Sequence, residues 1–467
     1  VHSLHFQDKW QVSPRLTADL GLRWEYWPSS KPRFPGGFSN YNWTNNTIEL
    51  AGIGSIPMDL GVESQPKSFA PRLGLAYRIN SKTVIRAGFG MSYNTRFIAN
   101  YGFPVRQQNT FNPPNTYTAA GSMAAGIPPP DFVVIPASGI IDPAPPTASV
   151  SVTKKDLPHS YVESWNIALQ RSLPGNFAVE VTYVGNHVLN QQTGWNFNAA
   201  SRLGGGTASQ PFFARYGRSA AVNIDIGTHQ YYDALQVKFD RRFSNGFMLT
   251  TAYTYSKSIN FAPRQYFDLL RDKGRTNFDL THVFTQAYVY DLPFGRSKRW
   301  GQSGPLRWAL GDWQVNGLLL LQTGRPLNLA YSSTSLNAPG HNNQPDLAGA
   351  GKPEVYGKVG VGQLWFDTSR FAAPAPLTFG NVGRNILSGP GVANLDLSVF
   401  RRFKLTERFN LEFRAESFNF SNTPHFANPG TTFGSATFGQ VTATEDFISS
   451  ATDTDNRKIQ FGLRLSF

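Results

Sequence analysis

Cysteine is absent from all 467 residues, which excludes disulfides, thiolate metal sites and every cysteine nucleophile. The compartment stays open, because an outer-membrane protein needs no disulfide. Methionine is scarce, with 4 residues. Long apolar runs are missing too: the longest aliphatic run is Leu318 to Leu321, and a membrane helix needs roughly eighteen or more. A barrel strand needs only every second residue apolar, so membrane residence remains open. Although the formal charge is +13, no Lys/Arg-rich run or nucleic-acid module occurs, and nucleic acid is not an expected partner. The scattered cations fit either attraction to an anionic membrane surface or a solvated basic face. The chain opens Val1-His-Ser-Leu-His-Phe6 already inside an alternating pattern, with neither an initiator Met nor a signal-peptide pattern in these residues. The expectation is a C-terminal part of something longer.

What is abundant is aromatic residues (14%), Gly (43) and Pro (32), at a mean hydropathy of -0.31. That mixture fits many strands, turn-rich loops and aromatic belts. The last eleven residues, 457–467, set the pattern. Ile459, Phe461, Leu463, Leu465 and Phe467 fall on one face of an extended chain; Lys458, Gln460, Gly462, Arg464 and Ser466 fall on the other. About eleven residues is the length of a tilted strand crossing a bilayer. A strand of a soluble β-sandwich would alternate in the same way, but this one ends the chain on an aromatic.

The same unit recurs upstream, with strands expected at 4–12, 16–26, 69–79, 83–93, 161–171, 177–188, 231–241, 247–257, 280–290, 313–323, 394–402, 408–419 and 457–467. In 16–26 a slip of one residue would place Asp19, Arg23 and Glu25 in lipid; Arg alone costs roughly 2–4 kcal/mol at the midplane. Asn245-Gly246 is a strong hairpin signal. Asp8 is the misfit, since alternation places it on the lipid face; a β-bulge is expected to turn it inward. Short turns alternate with long loops such as 27–68 and the loop of some sixty residues after Tyr93. Long loops are uncommon in compact soluble domains but regular in outer-membrane barrels. The fold class is therefore all-β: an antiparallel transmembrane β-barrel, partial at thirteen strands, with long extracellular loops and short periplasmic turns. Phe467 ends in the periplasm, and the first strand runs downward.

Aromatic positions give a check not used in placing the strands. Trp24, Tyr26, Tyr93, Tyr183, Tyr253 and Tyr255 cluster at the loop ends, whereas Trp10, Tyr77, Trp313 and Phe467 lie at the turn ends. Two membrane girdles follow. Inward positions Arg23, Arg72, Arg78, Arg86, Lys238, Glu412, Arg414, Glu416 and Arg464 are expected to line the lumen. They either meet a plug or ligand or form ion pairs on a hydrated wall. Inward Gly21, Gly74, Gly88, Gly90 and Gly462 either give a plug room or ease strand bending. Loop aromatics Tyr41, Trp43, Tyr101, Phe103, Trp195, Phe197, Phe212 and Tyr216 are candidates for stacking on a carbohydrate or peptide; packing among the loops explains them equally.

Catalytic and metal chemistry find little support. Asp279, Thr281 and His282 stand together, yet no second His or carboxylate follows at ligand spacing. Asp453, Asp455 and Asn456, with Glu445 and Asp446, lack the EF-hand spacing and its Gly, so a solvated acidic loop explains them. Ser164 and Ser398 sit in no Gly-x-Ser-x-Gly elbow. No enzyme activity, cofactor or metal is expected.

Several stretches resemble the barrel of TonB-dependent receptors, specifically the Oar-like group: Gln7-Asp-Lys-Trp10, Leu20-Gly-Leu-Arg-Trp24, Phe69-Ala-Pro-Arg-Leu-Gly-Leu-Ala-Tyr77, Tyr161-Val-Glu-Ser-Trp-Asn-Ile-Ala-Leu-Gln-Arg171, Phe278-Asp-Leu-Thr-His-Val-Phe284, Leu292-Pro-Phe-Gly295, Gly380-Asn-Val-Gly-Arg-Asn385 and Gly389-Pro-Gly-Val-Ala-Asn-Leu-Asp-Leu397. The resemblance implies energised uptake of a carbohydrate, peptide or siderophore-like ligand through a barrel of about twenty-two strands. It also implies an N-terminal plug that meets TonB, and this chain shows neither plug nor TonB box, so residues 1–467 are expected to be the C-terminal barrel portion. Counted back from the closing strand as the twenty-second, the first strand here is the tenth, again a downward one. The surroundings implied are outer-membrane lipid and lipopolysaccharide, with the barrel assembly machinery reading Phe461, Leu463, Leu465 and Phe467. Rival readings are a passive porin, an adhesive or structural barrel, and a secreted soluble β-protein with carbohydrate-binding loops.

Overall fold

The computed structural model describes residues 2–94, 121–124, 126, 134–146, 149–156, 158–295, 298–444 and 456–467. Thirteen strands form one sheet in simple chain order: β1 (His2–Ser13), β2 (Leu16–Trp27), β3 (Gln65–Asn80), β4 (Thr83–Asn94), β5 (Ser160–Leu173), β6 (Phe177–Asn196), β7 (Val222–Ser244), β8 (Phe247–Phe261), β9 (His282–Asp291), β10 (Trp313–Gln322), β11 (Val392–Lys404), β12 (Asn410–Phe418) and β13 (Lys458–Ser466). Each pairs antiparallel with the next. Two short strands, Val150–Val152 and Lys273–Arg275, attach to β7 and β8. Among the described residues β1 and β13 are not paired with each other, so the sheet is not closed. No described helix is long and apolar enough to cross a membrane. This says nothing against crossing by strands.

Turn chemistry sets the register. Asn245 and Gly246 take φ of 52° and 77° between paired Ser244 and Phe247, the left-handed pair that a two-residue type I′ hairpin requires. From there the ladder runs unbroken from Arg241–Leu249 to Gln230–Asn260.

The two faces differ as alternation demands. On β13, Ile459, Phe461, Leu463 and Leu465 are 51% to 72% exposed, and among the described residues no second sheet or helix layer covers them. Leu4, Phe6, Leu20, Leu22, Leu73, Leu75, Ile167, Leu169 and Leu235 are likewise exposed along the same side of the sheet. Burying such a face stabilises by about 25 cal/mol per Å², and hydrocarbon is the medium that can do so here. Asp8 corrects one expectation. The β1–β2 ladder shifts only between Gln11 and Ser13, so no bulge turns Asp8 inward, and it lies opposite Leu20 on the apolar face.

The buried apolar core lies in the loops. Segment 27–68, expected as loop, contains a hairpin of Ser39–Asn42 and Thr47–Leu50, joined by Ile140–Ile141. Tyr41, Ile48, Leu50, Val150, Val222 and Ile224 pack there. A second cluster of Leu327, Leu329, Phe366, Phe371, Leu387 and Phe438 unites residues 327–387 with the region around 438. Strands β6 and β7, at 20 and 23 residues, far exceed the roughly eleven needed to cross a bilayer. Their upper ends rise into the first loop core, where Trp195 packs against it.

Candidate functional site

Register assigns the inner face residue by residue, because directly opposed residues share a face. One row runs Gln7, Gly21, Arg72, Gly90, Ser164, Asn186, Tyr232, Ser258 across β1 to β8. Where it reaches β5 to β8 the wall holds a pocket of about 710 Å³, within the range usual for small-molecule sites. Its polar lining includes Ser164, Asn186, Gln236, Thr254, Ser256 and Ser258, beside Tyr232. Val162, Val188, Leu280, Val283 and Phe278 supply apolar patches.

Phe278, Asp279 and Leu280 form one margin of this pocket. The Asp279 carboxylate, 2% exposed, accepts the Ser258 N–H at 2.6 Å and the Arg275 Nε–H at 2.8 Å. Arg275 also donates to the hydroxyls of Ser388 and Thr281. The Ser256 hydroxyl donates to the Leu280 carbonyl at 2.9 Å. The Ser258 hydroxyl, in a residue 3% exposed, has no hydrogen-bond partner among the described residues.

Deeper in the loops a buried ionic knot fixes the roof. Arg264 donates to Asp272 at 2.9 Å, and both are buried. Arg384 reaches the Asn260 side chain at 2.7 Å and the Asp272 carbonyl. Asn385 donates to the Arg275 carbonyl and the Asn277 side chain. Loop 324–391 is thereby clamped onto the segment after β8. His341 adds a second clamp: its Nδ1 accepts the Tyr266 N–H, its Nε2 faces the Ala200 carbonyl at 2.8 Å, and its ring stacks on Phe267. Burial pulls its pKa below the ordinary histidine value, opposed by the bond to Ala200.

The charged inner-face residues are largely engaged with neighbours on the wall. Arg23 meets Glu25 at 3.2 Å, Arg86 meets Glu180 at 3.4 Å, and Lys238 meets Asp240 at 2.8 Å. Glu412 is shared by Arg402 and Arg414. Arg78 donates to the Pro14 carbonyl. Arg72 lies between Gly21 and Gly90, Glu416 opposite Ser398 and Gln460, and Arg464 opposite Glu412.

The loop aromatics divide. Tyr41 is 1% exposed, with its hydroxyl on Asn46 and the Arg218 guanidinium over its ring, so it is a core residue and presents no face to a ligand. Trp195, Phe197 and Phe212 pack on the same core. Trp43 keeps 38% exposure; Tyr216 donates to the Thr44 carbonyl. Tyr101 and Phe103 lie outside the described residues, as do Glu445, Asp446, Asp453 and Asp455. Among the described residues no group of three metal-ligating side chains forms. Asp279 and His282 diverge, the first to Ser258 and Arg275 and the second to Tyr253 and Tyr255.

Of the girdle positions, Trp10, Tyr77 and Tyr255 are 44% to 57% exposed. Trp24 stacks on Tyr26 and Tyr93 contacts Tyr161. Tyr183 donates to Asp233 at 2.5 Å, Tyr253 bonds His282 at 2.8 Å, and Trp313 meets Phe413 edge-on. Phe467 ends the chain 84% exposed, beside Phe409.

No curated protein matches the chain. Among solved structures it is similar to the pyoverdine receptor FpvA of Pseudomonas aeruginosa, at 9% identity and a TM-score of 0.47, covering 100% of this chain and 42% of that one. It is also similar to the ferric enterobactin receptor PfeA of the same organism, at 11% identity and 0.45, covering 99% and 44%. The FrpB iron transporter of Neisseria meningitidis follows at 10% and 0.44, covering 99% and 45%. The chain thus spans less than half the length of these receptors. The outer membrane beta barrel domain family matches residues 1–460. With its uncovered apolar face and sequential antiparallel strands, the chain belongs to that family, and its place is the outer membrane.

Proposed function

We propose that this chain supplies thirteen strands of a TonB-dependent receptor of the Oar-like group, and that further strands and a plug complete it. Capture by the loops is followed by passage along the inner wall when TonB remodels the plug. The observation that carries this reading is the pocket on the inner face beneath an anchored loop roof. Its roof and clamp draw on two of the stretches that resemble the group, 278–284 and 380–385. Outer-membrane lipid and lipopolysaccharide surround the barrel, and the barrel assembly machinery reads the exposed residues Phe461, Leu463, Leu465 and Phe467. Among the described residues, the loop aromatics left to touch cargo are Trp43 and Tyr216; the inner charges pair with one another along the wall. Uptake by the complete protein in otherwise identical TonB-proficient and TonB-deficient strains tests the proposal. Uptake that requires TonB is expected; equal uptake in both strains favours a passive porin, and surface binding without uptake favours an adhesive barrel.

A further inference from the structure

We propose that the inner-wall pocket selects an uncharged, hydroxyl-rich ligand, a carbohydrate, over an anionic metal chelate. The inference deepens the receptor reading and rests on it. Three observations carry it. The polar lining of β5 to β8 consists of hydroxyls and carboxamides, contributed by residues such as Ser164, Asn186, Gln236 and Thr254. The one carboxylate in the lining among the described residues, Asp279, is already compensated by Arg275. Among the described residues no Lys, Arg or His lines the pocket. An anion entering here would lose hydration without meeting a cation, which is costly. A sugar loses far less, because each hydroxyl can exchange water for an amide or hydroxyl of the wall.

The second observation is the Ser258 hydroxyl, buried in the pocket lining and without a partner among the described residues. Buried polar groups are nearly always satisfied, so this hydroxyl is placed to pair with a group that arrives with the ligand. The third is the apolar surface of Tyr232, Phe278, Val162 and Val188, which suits the C–H face of a sugar ring. The inner-wall charges at Arg86, Lys238 and Glu412 are paired elsewhere on the wall and are not part of this lining.

The test is titration calorimetry on the complete protein purified in detergent. Maltohexaose, cellohexaose, xylohexaose and chitohexaose are the neutral probes; ferric enterobactin and ferripyoverdine are the charged ones. At least one neutral hexaose is expected to bind with an affinity that does not change between low and high salt, whereas charge-driven binding weakens as salt screens it. Ser258→Ala and Gln236→Ala are each expected to weaken that hexaose about five- to tenfold, the size of one lost hydrogen bond. Tyr232→Ala is expected to weaken it further. Val181→Ala on the outer face is expected to leave it unchanged, and equal detergent-resistant folding of all variants excludes collapse as the cause. Failure of all four hexaoses to bind, binding confined to the ferric chelates, or full affinity in the Ser258, Gln236 and Tyr232 variants would each overturn the proposal. Binding to purified protein needs no TonB, so the outcome is separate from that of the uptake experiment.

Discussion

Trp165 lies across Gly185 on the outer face of β5 and β6: a Cβ built on Gly185 would stand 2.4 Å from the indole. Tyr288 covers Gly317 in the same way between β9 and β10, at 2.5 Å. In each pair the aromatic shields backbone that glycine leaves bare, a device that also pins register.

Gly185→Ala and Gly317→Ala are therefore expected to destabilise the barrel by about 1–3 kcal/mol each, as overpacking does. The sites share no partner, so their effects should add. Gly194, on the same strand as Gly185, has nothing within 4 Å of a built Cβ, and Gly194→Ala should be neutral. Urea unfolding from lipid vesicles, read by tryptophan fluorescence, measures all three.

The roof should loosen in acid. Neutral His341 accepts the Tyr266 N–H at Nδ1; protonation would set two donors against each other. Since burial lowers its folded pKa, its contribution is fully present above about pH 6.5, the ordinary value. It starts to go as the pH drops below that, and is lost once the pH has fallen through the lowered folded value. Protease cleavage between residues 262 and 281 should accelerate from pH 7.5 to pH 5, and His341→Gln should flatten that dependence.

Removing one partner of the buried knot should cost more than removing a surface pair. Asp272 is fully buried between Arg264 and the backbone it caps. Asp272→Ala leaves the Arg264 guanidinium without its carboxylate, at a local cost of about 3–5 kcal/mol. Removal of the carboxylate from the partly exposed Lys238–Asp240 pair should cost less, about 1 kcal/mol. Native-state hydrogen exchange of the loops distinguishes the two.

Neighbouring residues on β5 should respond oppositely to the same charge. Leu169 is 46% exposed on the outer face, whereas Gln170 turns to the inner wall opposite Glu180. Leu169→Arg is expected to cost about 2–4 kcal/mol, and Gln170→Arg to be tolerated. Folding yields into vesicles of defined composition report both.

The strands were readable because lipid on one side and water on the other enforce a period of two; all thirteen expected segments overlap observed strands. Where that constraint ends, legibility ends. The upper halves of β6 and β7 run beyond the expected 188 and begin before 231, because above the bilayer nothing forces alternation. The hairpin Ser39–Asn42 with Thr47–Leu50 is held by residues near 141, 150 and 222, contacts too distant in sequence to read locally. Tyr41 and Trp195 look like ligand-stacking residues, since an aromatic in a loop reads alike whether it meets cargo or another loop. The pocket left little signal in the sequence, because its residues are mostly neutral and the outward neighbours of Ser164, Asn186, Tyr232 and Ser258 include Glu163, His187, Asp233 and Lys257, which blur the alternation there. Gly185 and Gly317 carried no such signal, because their purpose lies on the adjacent strand.

The absence of cysteine from these 467 residues makes one measurement especially direct. Single cysteines at 459, 461 and 463, and at 460, 462 and 464, can each carry a nitroxide label in the protein reconstituted in bilayers. Labels at the first three positions should be relaxed by oxygen in the lipid and shielded from an aqueous nickel chelate; labels at the other three should show the reverse. Equal exposure of all six to the aqueous chelate would contradict a lipid-facing apolar stripe, and with it the barrel.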